Sequence, residues 1–410
     1  MKYLIRKLTQ IKSFYLTSQG TSMLPVLKAN DIVRYQSITF DKCNINDLVL
    51  IKKNSQTFTH RIIYKIGSYL ISKGDNNYES DGRIHPQKVI AKAVAIKRGG
   101  NIININDYYL FQSTLYFQEI LIIKKAFEKI KIDFVFLKGL PLHLYYEKSY
   151  PKRFYADCDV LINRSDIIAA EKILKKQGYK KFDQLLSQKI KRKQGEEIEI
   201  TYFKYINNHY VIFDIHFEVD ITIVHINRIN ALYPQKFIDQ LTEEFLKSRG
   251  FITIEHNSFP ILSKERLIIY LALHFFHHNF HGIFRLEFIH KIICAEKEIK
   301  YNVIIDRIKQ YRLKNFVYPV FILLKKYYQT PIPKMFYASI APKDSQIQKY
   351  INNLTKIDIF SDETRVQAGV NRFKNLFFLS PSPFWKKLLV FLNPQVFYSI
   401  FWVFKRRLLK

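Results

Sequence analysis

The stretch FVFLKG at residues 134–139, with ADCDVLI at 156–162 and VIFDIHF at 211–217, predicts three buried β-strands in the middle of the chain. Each stretch is rich in aromatic and β-branched residues and is too short for a typical helix. The neighbouring segments with helical periodicity lie at 108–131, 140–148 and 166–177. Strands and helices in this order predict a mixed sheet that is covered by helices on at least one face.

Two aspartates stand two residues apart in the second of these strands. Asp157 and Asp159 therefore project from the same face, and their charges repel unless a cation lies between them. A divalent metal would take these oxygen ligands together with nucleotide phosphates. Asp214 lies within the apolar third strand, where an unpaired charge is costly, so it completes a three-carboxylate site if its strand pairs with the second. A solvated strand face is the alternative for Asp157 and Asp159 alone.

Basic and glycine residues that suit a nucleotide lie close to these aspartates in the sequence. Lys138 and Gly139 end the first strand and lead into a helix, so backbone N–H groups and an ammonium group can face phosphate oxygens. Arg153, four residues before Asp157, is a further candidate, and a surface arginine is the alternative. We therefore expect NTP as a substrate, with Mg²⁺ or Mn²⁺ as the cofactor.

These stretches resemble the uncharacterised nucleotidyltransferase family, whose pattern is strand-LKG-helix, an R-x-x-x-D-x-D strand and a later D-x-H strand. The resemblance covers residues 108–335 and includes LALHFFHHNFHGIFRLEFIHKI. It implies a polymerase-β-like nucleotidyltransferase, in which an acceptor attacks the α-phosphate of NTP in line. Asp157 and Asp159 would then hold Mg²⁺, and Asp214 would bind the metal or accept the acceptor proton.

Four histidines in the helical region after residue 263 suggest a second kind of site. His274, His277, His278 and His281 are spaced as one helical face, which zinc could use. No cysteine or carboxylate accompanies them within the helix. Core or substrate-cleft histidines are therefore the favoured interpretation.

The first hundred residues predict an all-β unit. Between residues 14 and 98, stretches that alternate apolar and polar residues are separated by Asn, Asp, Gly and Ser. Gly99 and Gly100 are expected to end this unit, and residues 101–107 are expected to form a connector.

A serine, a histidine and two aspartates follow one another in this unit in an order that suits nucleophilic catalysis. Ser22 lies in the turn GTSMLP, and His60 lies in a strand-like run. Asp75 and Asp81 follow in and after a polar turn. A serine hydroxyl becomes a nucleophile when a base takes its proton, and a carboxylate can orient that base. Taken singly, each residue is more often structural.

Taken in order, GTSMLP, NDIV, THRI, KGDNN and Asp81 resemble the type I signal peptidases, in the branch that uses histidine where the bacterial branch uses lysine. The resemblance covers residues 14–98 and implies Ser22 as nucleophile and His60 as general base. Asp75 and Asp81 would support the histidine. Because no membrane anchor precedes the serine here, it implies cleavage of a cytoplasmic leader peptide or a peptide-binding module.

The charge balance and the C-terminal segment suggest anionic partners. Lys and Arg number 65 against 35 Asp and Glu, a formal charge of +30, although an AT-rich genome would also produce this composition. No nucleic-acid-reading motif is recognisable, so a nucleic acid is not expected as a partner. Residues 388–404 are uncharged, lie between basic residues and are interrupted at 393–395. They predict short helices on an anionic membrane surface rather than a span, with a buried terminal hairpin as the alternative.

These patterns together predict an α+β multidomain chain. We expect a signal-peptidase-like serine protease domain at 1–100, a nucleotidyltransferase catalytic domain at 108–260, its helical appendage at 261–340, and a linker with the basic aromatic membrane-surface segment at 341–410. The three widely spaced cysteines indicate a reducing compartment, so a cytoplasmic protein bound peripherally to the membrane through its C-terminus is expected.

The protein is expected to be bifunctional. One activity is Mg-dependent nucleotidyl transfer to an unknown acceptor, such as a peptide or protein, and the other is Ser/His peptidase activity. Modified-peptide or envelope-polymer biosynthesis would suit this pair of domains. The alternative is a catalytically decayed peptide- or nucleotide-binding scaffold at the membrane surface.

Overall fold

A computed structural model describes two compact units of the chain. The described residues are 12–396 apart from 54, 55, 78, 154, 156, 183–197, 208, 220, 222–229, 362, 393 and 395. Of these, the first unit takes residues up to 118, 147–155 and 360–364, and the second takes 119–146, 156–359 and those from 365 onward.

The first unit is built on a β-sheet. Its strands are β1 (Ser13–Thr17), β2 (Ile32–Ser37), β3 (Leu48–Lys53), β4 (Gln56–Ile66), β5 (Tyr69–Lys73), β6 (Arg83–Ile84), β7 (Val89–Arg98) and β8 (Asn101–Asn104). They pair antiparallel in the order β1-β2-β7-β3-β4-β5-β6, with β8 on β7. Alternate residues of β3 enter different apolar cores, because Leu48 and Leu50 pack in one and Val49 and Ile51 in the other. The expected all-β N-terminal region is confirmed.

The sheet of the first unit extends beyond its expected end. Gly99 and Gly100 have φ values of +53° and +85°, which glycine adopts without steric cost, and they reverse the chain tightly. Strand β8 therefore pairs back on β7 where a connector was expected. Helix α1 (Ile105–Lys129) follows directly, and its residues from Glu119 belong to the second unit.

The second unit contains a mixed sheet with helices, as the sequence predicts. Its strands are β9 (Phe134–Lys138), β10 (Cys158–Ile162), β11 (Lys180–Lys181), β12 (Glu199–Ile206), β13 (His209–His216), β14 (Arg249–Ile254) and β15 (Asn257–Leu262). Their order is β11-β12-β13-β10-β9-β15-β14. Strands β10 and β13 run parallel, whereas β9 and β10 run antiparallel. The central strands β9 and β10 are almost wholly buried, which explains their continuous apolar sequences.

Helices connect and follow these strands. They are α2 (Leu140–Glu147), α3 (Ile167–Lys176), α4 (Gln235–Lys247), α5 (Lys264–His277), α6 (Ile283–Ala295), α7 (Tyr301–Gln310), α8 (Lys314–Tyr328), α9 (Lys334–Ile340), α10 (Ser345–Leu354), α11 (Arg365–Leu379) and α12 (Phe384–Leu388). Helices α5 to α9 lie within 261–340, where the sequence predicts a helical region.

The region expected to be a linker contains packed helices. The Asn279 side chain donates to the Ala368 carbonyl of α11, and Asn375 donates to Asn279 Oδ1. Leu376 of the same helix is buried. After α12, a 3₁₀ turn spans Leu389–Leu392. Residues 393, 395 and 397–410, with much of the expected membrane segment, lie outside the described residues. No helix in the described part of the chain is long and apolar enough to cross a bilayer.

Candidate functional site

A row of polar residues crosses four neighbouring strands of the second unit. Lys138 of β9 lies opposite Asp159 of β10. Asp159 lies opposite Asp214 of β13, which in turn lies opposite Thr201 of β12. Side chains of directly opposed residues project from the same face of a sheet. The register therefore places Asp214 beside Asp159, as the sequence predicts if their strands pair.

Three carboxylates at this row lie close enough to share a cation. One oxygen each of Asp157, Asp159 and Asp214 lies within 4.8 Å of the others. Asp159 is 1% exposed, and its Oδ2 has no hydrogen-bond partner among the described residues. A buried carboxylate oxygen without a partner is costly, and a cation that prefers oxygen ligands would satisfy it. The three aspartates therefore fit Mg²⁺ or Mn²⁺.

Basic side chains set the charge of Asp159. Lys138 Nζ lies 3.0 Å from Asp159 Oδ1 and 3.9 Å from Asp157 Oδ2. His216 Nε2 lies 3.0 Å from the same Asp159 oxygen. Burial acts to raise the pKa of Asp159, but Lys138 and His216 outweigh it and lower that pKa to about 2. Asp159 is therefore ionised at neutral pH.

Asp214 has the opposite electrostatic environment. Burial, followed by the charges of Asp159 and Glu199, raises the pKa of Asp214 to about 7. Thr201 Oγ1 donates a hydrogen bond of 2.6 Å to Asp214 Oδ1 and acts against this rise. Asp214 is therefore the carboxyl group of the three that gains a proton most easily without a bound cation.

His216 and Thr201 are members of this site that the sequence reasoning did not single out. His216 stands two residues after Asp214 on β13, so both project from one face. Burial acts to lower the pKa of His216, but its hydrogen bond to Asp159 and the charge of Glu199 raise it to about 9. The D-x-H spacing was the available signal for His216. No sequence signal pointed to Thr201, because its contact with Asp214 follows from the pairing of β12 with β13.

Gly139 allows the turn after β9 to pass close to the aspartates. Its φ is +101°, and a Cβ there would lie 3.3 Å from the Asp157 carbonyl oxygen and 3.6 Å from Cys158 Cα. A side chain at this position would be both strained and crowded by backbone atoms. Helix α2 begins at the next residue, so the expected strand-LKG-helix arrangement is present.

A family model described as an uncharacterised nucleotidyltransferase matches residues 107–329, which is more than half of the 410-residue chain. The chain belongs to this family. The matched region contains Asp157, Asp159 and Asp214, and it confirms the expectation of a nucleotidyltransferase domain. It begins after the strands of the first unit and does not cover Ser22 or His60. No curated protein and no solved structure matches the chain.

Arg153 lies among residues of the first unit. Its Nη2 donates to the Tyr155 hydroxyl over 2.9 Å, and its guanidinium stacks over the same ring at 4.7 Å. The described contacts of Arg153 thus hold it on a neighbouring tyrosine, and its role toward phosphate stays a prediction.

The histidines after residue 270 do not form one helical face. Helix α5 ends at His277, so His278 and His281 lie beyond it. The rings of His274 and His278 are 4.6 Å apart at their centroids. Within the described residues, however, the three aspartates are the group whose ligand atoms converge sufficiently for a metal. This geometry favours the core or cleft interpretation of the histidines over zinc.

A second candidate site lies in the first unit, where three sequence-predicted residues form a hydrogen-bonded chain. Ser22 Oγ lies 3.0 Å from His60 Nε2, and His60 Nδ1 lies 2.7 Å from Asp81 Oδ2. The side chain of His60 is 7% exposed and that of Asp81 is 14% exposed. This is the order of contacts that lets an imidazole take a proton from a serine while a carboxylate orients the ring.

Asp81 is held by groups that the sequence reasoning missed. Ser72 Oγ donates to Asp81 Oδ2 over 2.6 Å, and Lys53 Nζ donates to the Asp81 carbonyl over 2.7 Å. The Asp81 amide donates to the Ser72 carbonyl over 2.8 Å. These contacts fix the carboxylate that faces His60. Ser72 carried no sequence signal because a serine on a strand is ordinary.

Asp75 contacts an arginine rather than the histidine. Both of its carboxylate oxygens accept from Arg61, over 2.7 Å from Nε and 2.5 Å from Nη2. In the same turn, the Asn76 amide donates to the Ser22 carbonyl over 2.8 Å. A Cβ at Gly74 would lie 2.6 Å from that carbonyl oxygen, so only glycine allows this approach. Asp75 thus belongs to the turn that supports Ser22, and His60 receives its carboxylate from Asp81 alone among its described hydrogen bonds.

Proposed function

We propose that the second unit transfers a nucleotidyl group from NTP to an acceptor with the help of Mg²⁺ or Mn²⁺. The observation that carries this proposal is the convergence of three carboxylates in a chain of this family: Asp159 and Asp214 lie opposite each other in the sheet, and Asp157 directly precedes β10. Asp159 supplies a buried oxygen that has no hydrogen-bond partner within the described part of the chain, and a divalent cation would satisfy it.

The residues around the aspartates have separate tasks in this proposal. Asp157, Asp159 and Asp214 would hold the cation, which when bound neutralises the charge that develops on phosphate oxygens. Lys138 adds an ammonium group beside the triad, and Gly139 lets the start of α2 approach it. His216 and Thr201 hold the carboxylates in place through their hydrogen bonds. Asp214 either binds the cation or accepts the acceptor proton.

Calorimetry of NTP binding tests this function. The wild-type chain is expected to bind at least one of ATP, GTP, CTP and UTP in the presence of MgCl₂ and to lose most of this affinity in EDTA. The Asp157→Asn/Asp159→Asn variant is expected to lose the Mg-dependent part. Asp239→Asn, at an exposed position on α4, is the matched control and should bind like the wild type. Equal affinity of wild type and double variant, with and without EDTA, contradicts the metal site.

We also propose a second activity, hydrolysis of a peptide bond by the first unit in the manner of a signal peptidase. The chain from Ser22 through His60 to Asp81 supports it. Ser22 Oγ would attack the carbonyl carbon while His60 takes its proton, and His60 would then give that proton to the leaving amine as the C–N bond breaks and the acyl-enzyme forms. A water molecule, deprotonated by His60, would hydrolyse the acyl-enzyme and free Ser22. Asp81 would stabilise the charged ring.

A fluorophosphonate probe tests the reactivity of Ser22. Labelling of the wild type is expected, with its loss in Ser22→Ala and a comparable loss in His60→Ala, because the members of such a triad act as a unit. Ser68→Ala, in the exposed turn between β4 and β5, should be labelled like the wild type. If the wild type and Ser22→Ala are labelled equally, or neither is labelled, the first unit is a peptide-binding module, and the scaffold alternative gains support.

The acceptor in this proposal is a peptide or protein, because a peptidase in the same chain would process the same substrate. Modified-peptide or envelope-polymer biosynthesis would suit this pair of reactions. Mass spectrometry of a supplied peptide pool, incubated with NTP and MgCl₂, should detect a nucleotidyl adduct that is absent in Asp157→Asn/Asp159→Asn.

We further propose that the C-terminal segment binds an anionic membrane surface. Phe384, Trp385 and Leu392 are 68%, 66% and 76% exposed, and two lysines follow Trp385. Residues 371–410 contain no acidic side chain. Exposed aromatic rings beside basic residues favour the interface of an anionic bilayer.

Liposome flotation tests this location. The wild type should float with phosphatidylserine-containing vesicles and much less with phosphatidylcholine alone, and high salt should weaken the interaction. Phe384→Ser/Trp385→Ser should float weakly. Met335→Ser removes a side chain that is 81% exposed elsewhere and serves as the control. Undiminished flotation of the double variant means that this segment is not the anchor.

A further inference from the structure

A cavity of about 510 Å³ lies in the first unit, and all of its described lining residues belong to that unit. Arg34 of β2 lines it. Along this strand Arg34 alternates with the buried Val33 and Tyr35, so its side chain projects away from their apolar core. The described lining residues do not include Ser22 or His60, so the cavity is separate from the candidate peptidase site.

One wall of this cavity is held in place by a buried arginine. Arg61 Nη1 donates to the Asn46 carbonyl over 3.0 Å and to the Lys152 carbonyl over 3.1 Å. The same guanidinium lies over the Tyr109 ring, 4.9 Å from its centroid. Asn46, Lys152 and Tyr109 all line the cavity. The wall is therefore formed before a ligand binds, as is usual for small-molecule sites.

The charged side chains of the cavity are mostly positive. Among its described lining residues, Arg34, Lys42, Lys92 and Lys152 are basic and Asp47 is acidic. Lys92 Nζ lies 2.6 Å from Asp47 Oδ1, so these two charges neutralise each other. The side chains of the other three basic residues make no ion pair within the described part of the chain. Unbalanced positive charge around a concave surface attracts an anion.

We propose that this cavity binds a small molecule that carries a diphosphate group. A single carboxylate would balance one of the three unpaired cations, whereas each phosphate group carries up to about two negative charges on several acceptor oxygens. The Arg34 guanidinium offers paired N–H donors that match phosphate oxygens. A diphosphate fills only part of the volume, and the buried Ile105 and Tyr109 at the wall suit an attached organic group. This inference goes beyond both proposed activities and depends on neither.

Calorimetry of the full chain in EDTA, with inorganic pyrophosphate and ADP as ligands, tests this cavity. Without a cation the three aspartates of the second unit repel phosphates, so EDTA excludes their site from the measurement. Both ligands should bind the wild type, and high salt should weaken them. Arg34→Gln is expected to weaken both by about 10- to 100-fold, the range for loss of charge-assisted hydrogen bonds. Arg34→Lys keeps the charge without the paired donors and should fall between wild type and Arg34→Gln.

Lys97→Gln is the matched control, because Lys97 is an exposed cation of β7 that is not among the described lining residues. It should bind both ligands like the wild type. Tighter binding of ADP than of pyrophosphate assigns an organic diphosphate to the cavity, and pyrophosphate affinity equal to or above that of ADP assigns the inorganic ion. Absence of binding by the wild type, wild-type affinity in Arg34→Gln, or equal affinity for citrate overturns the inference. Mg-dependent NTP binding tests the proposed function separately.

Discussion

The two units of this chain assemble their candidate sites in different ways. In the second unit, Asp159 and Asp214 meet because a parallel strand pair places them opposite each other. In the first unit, Ser22, His60 and Asp81 meet because turns bring separate parts of the chain together. A site made by strand register follows from strand pairing alone, whereas a hydrogen-bonded chain also requires the correct turn geometry.

The two sites also differ in how they use charge. The second unit gathers three carboxylates beside Lys138 and His216, an arrangement that suits a divalent cation. The first unit joins a hydroxyl and an imidazole to one carboxylate, an arrangement that suits proton transfer. Substitution of a single residue in one site should therefore change the chemistry of that site and leave that of the other unchanged.

The largest expected effect concerns which aspartate supports His60. Asp81→Asn should lower the rate of Ser22 labelling by about 10⁴-fold, as when the orienting carboxylate of a triad is lost, because the amide cannot stabilise the charged ring. NTP binding should not change. The measurement is the labelling rate with a fluorophosphonate probe, alongside calorimetry with NTP and MgCl₂.

Asp75→Asn is the matched control for this first prediction. This substitution also removes one negative charge. Asp75, however, lies two residues after the strand that ends at Lys73 and contacts Arg61. Its labelling rate should fall by less than about tenfold once the folded fraction is accounted for. Equal losses in the two variants would mean that both aspartates act on the histidine.

The second prediction concerns the buried ion pair of the first unit. Arg61 is 4% exposed, and its Nη1 also donates to the carbonyls of Asn46 and Lys152. Arg61→Met would leave the largely buried Asp75 side chain without its guanidinium partner and should destabilise the unit by about 3–5 kcal/mol. Hydrogen exchange measured by mass spectrometry should speed up in peptides from residues 48–73.

The double variant Arg61→Met/Asp75→Leu is the control, because it removes both charges. It should recover more than half of the lost stability. Peptides from β9 and β10 should exchange at the wild-type rate in both variants. Equal acceleration in those peptides would show that the stability of the two units cannot be separated.

The third prediction compares two glycines of positive φ. Gly139→Ala should cost about 1–3 kcal/mol and weaken NTP binding, because its Cβ would crowd the Asp157 carbonyl. Gly67, in an exposed turn of the first unit, has a φ of +50°, and a Cβ there would meet no atom within 4 Å. Gly67→Ala should cost about 1 kcal/mol and leave NTP binding unchanged. Equal NTP affinities in the two variants would remove Gly139 from the nucleotide site.

The sequence predicted Asp157, Asp159 and Asp214 as one site on the condition that the strands of Asp159 and Asp214 pair. An aspartate within an apolar stretch needs a partner, and the register of β10 and β13 places Asp214 opposite Asp159. The assignment of Asp75 could not be resolved in this way. His60 and Arg61 are adjacent on β4 and project from opposite faces, so each takes one of the two aspartates.

Other elements depended on tertiary packing that leaves little trace in the sequence. Strand β8 forms because the glycine pair turns the chain back onto β7, and its own residues NIIN give a weak signal. Helix α10 is mostly polar and α11 mixes polar and apolar residues, so the packing of their few buried residues against the body of the second unit stabilises them. The support of Asp81 by Ser72 likewise required the turn geometry.

The smallest expected effect concerns the cysteines, which provide one buried reporter in each unit. Cys43 and Cys158 are buried, and Cys294 is exposed. Burial raises the pKa of Cys43 to about 11 and also raises that of Cys158, so both thiols should resist alkylation in the native state. Cys294→Ser should therefore abolish fast labelling and change the free energy of unfolding by less than about 0.5 kcal/mol.

In the Cys294→Ser background, iodoacetamide labelling followed by peptide mapping should report on the opening of each unit. Adding Arg61→Met should accelerate labelling of Cys43 and leave Cys158 at its slow rate, because the broken ion pair lies in the first unit. Adding Gly139→Ala should do the reverse. Each labelling rate should also rise with pH, since the thiolate is the reactive form and raised pKa values keep it scarce at neutral pH. If either substitution accelerates the labelling of both cysteines equally, the two units open together. The two sites then differ in their chemistry, but the units that carry them do not differ in stability.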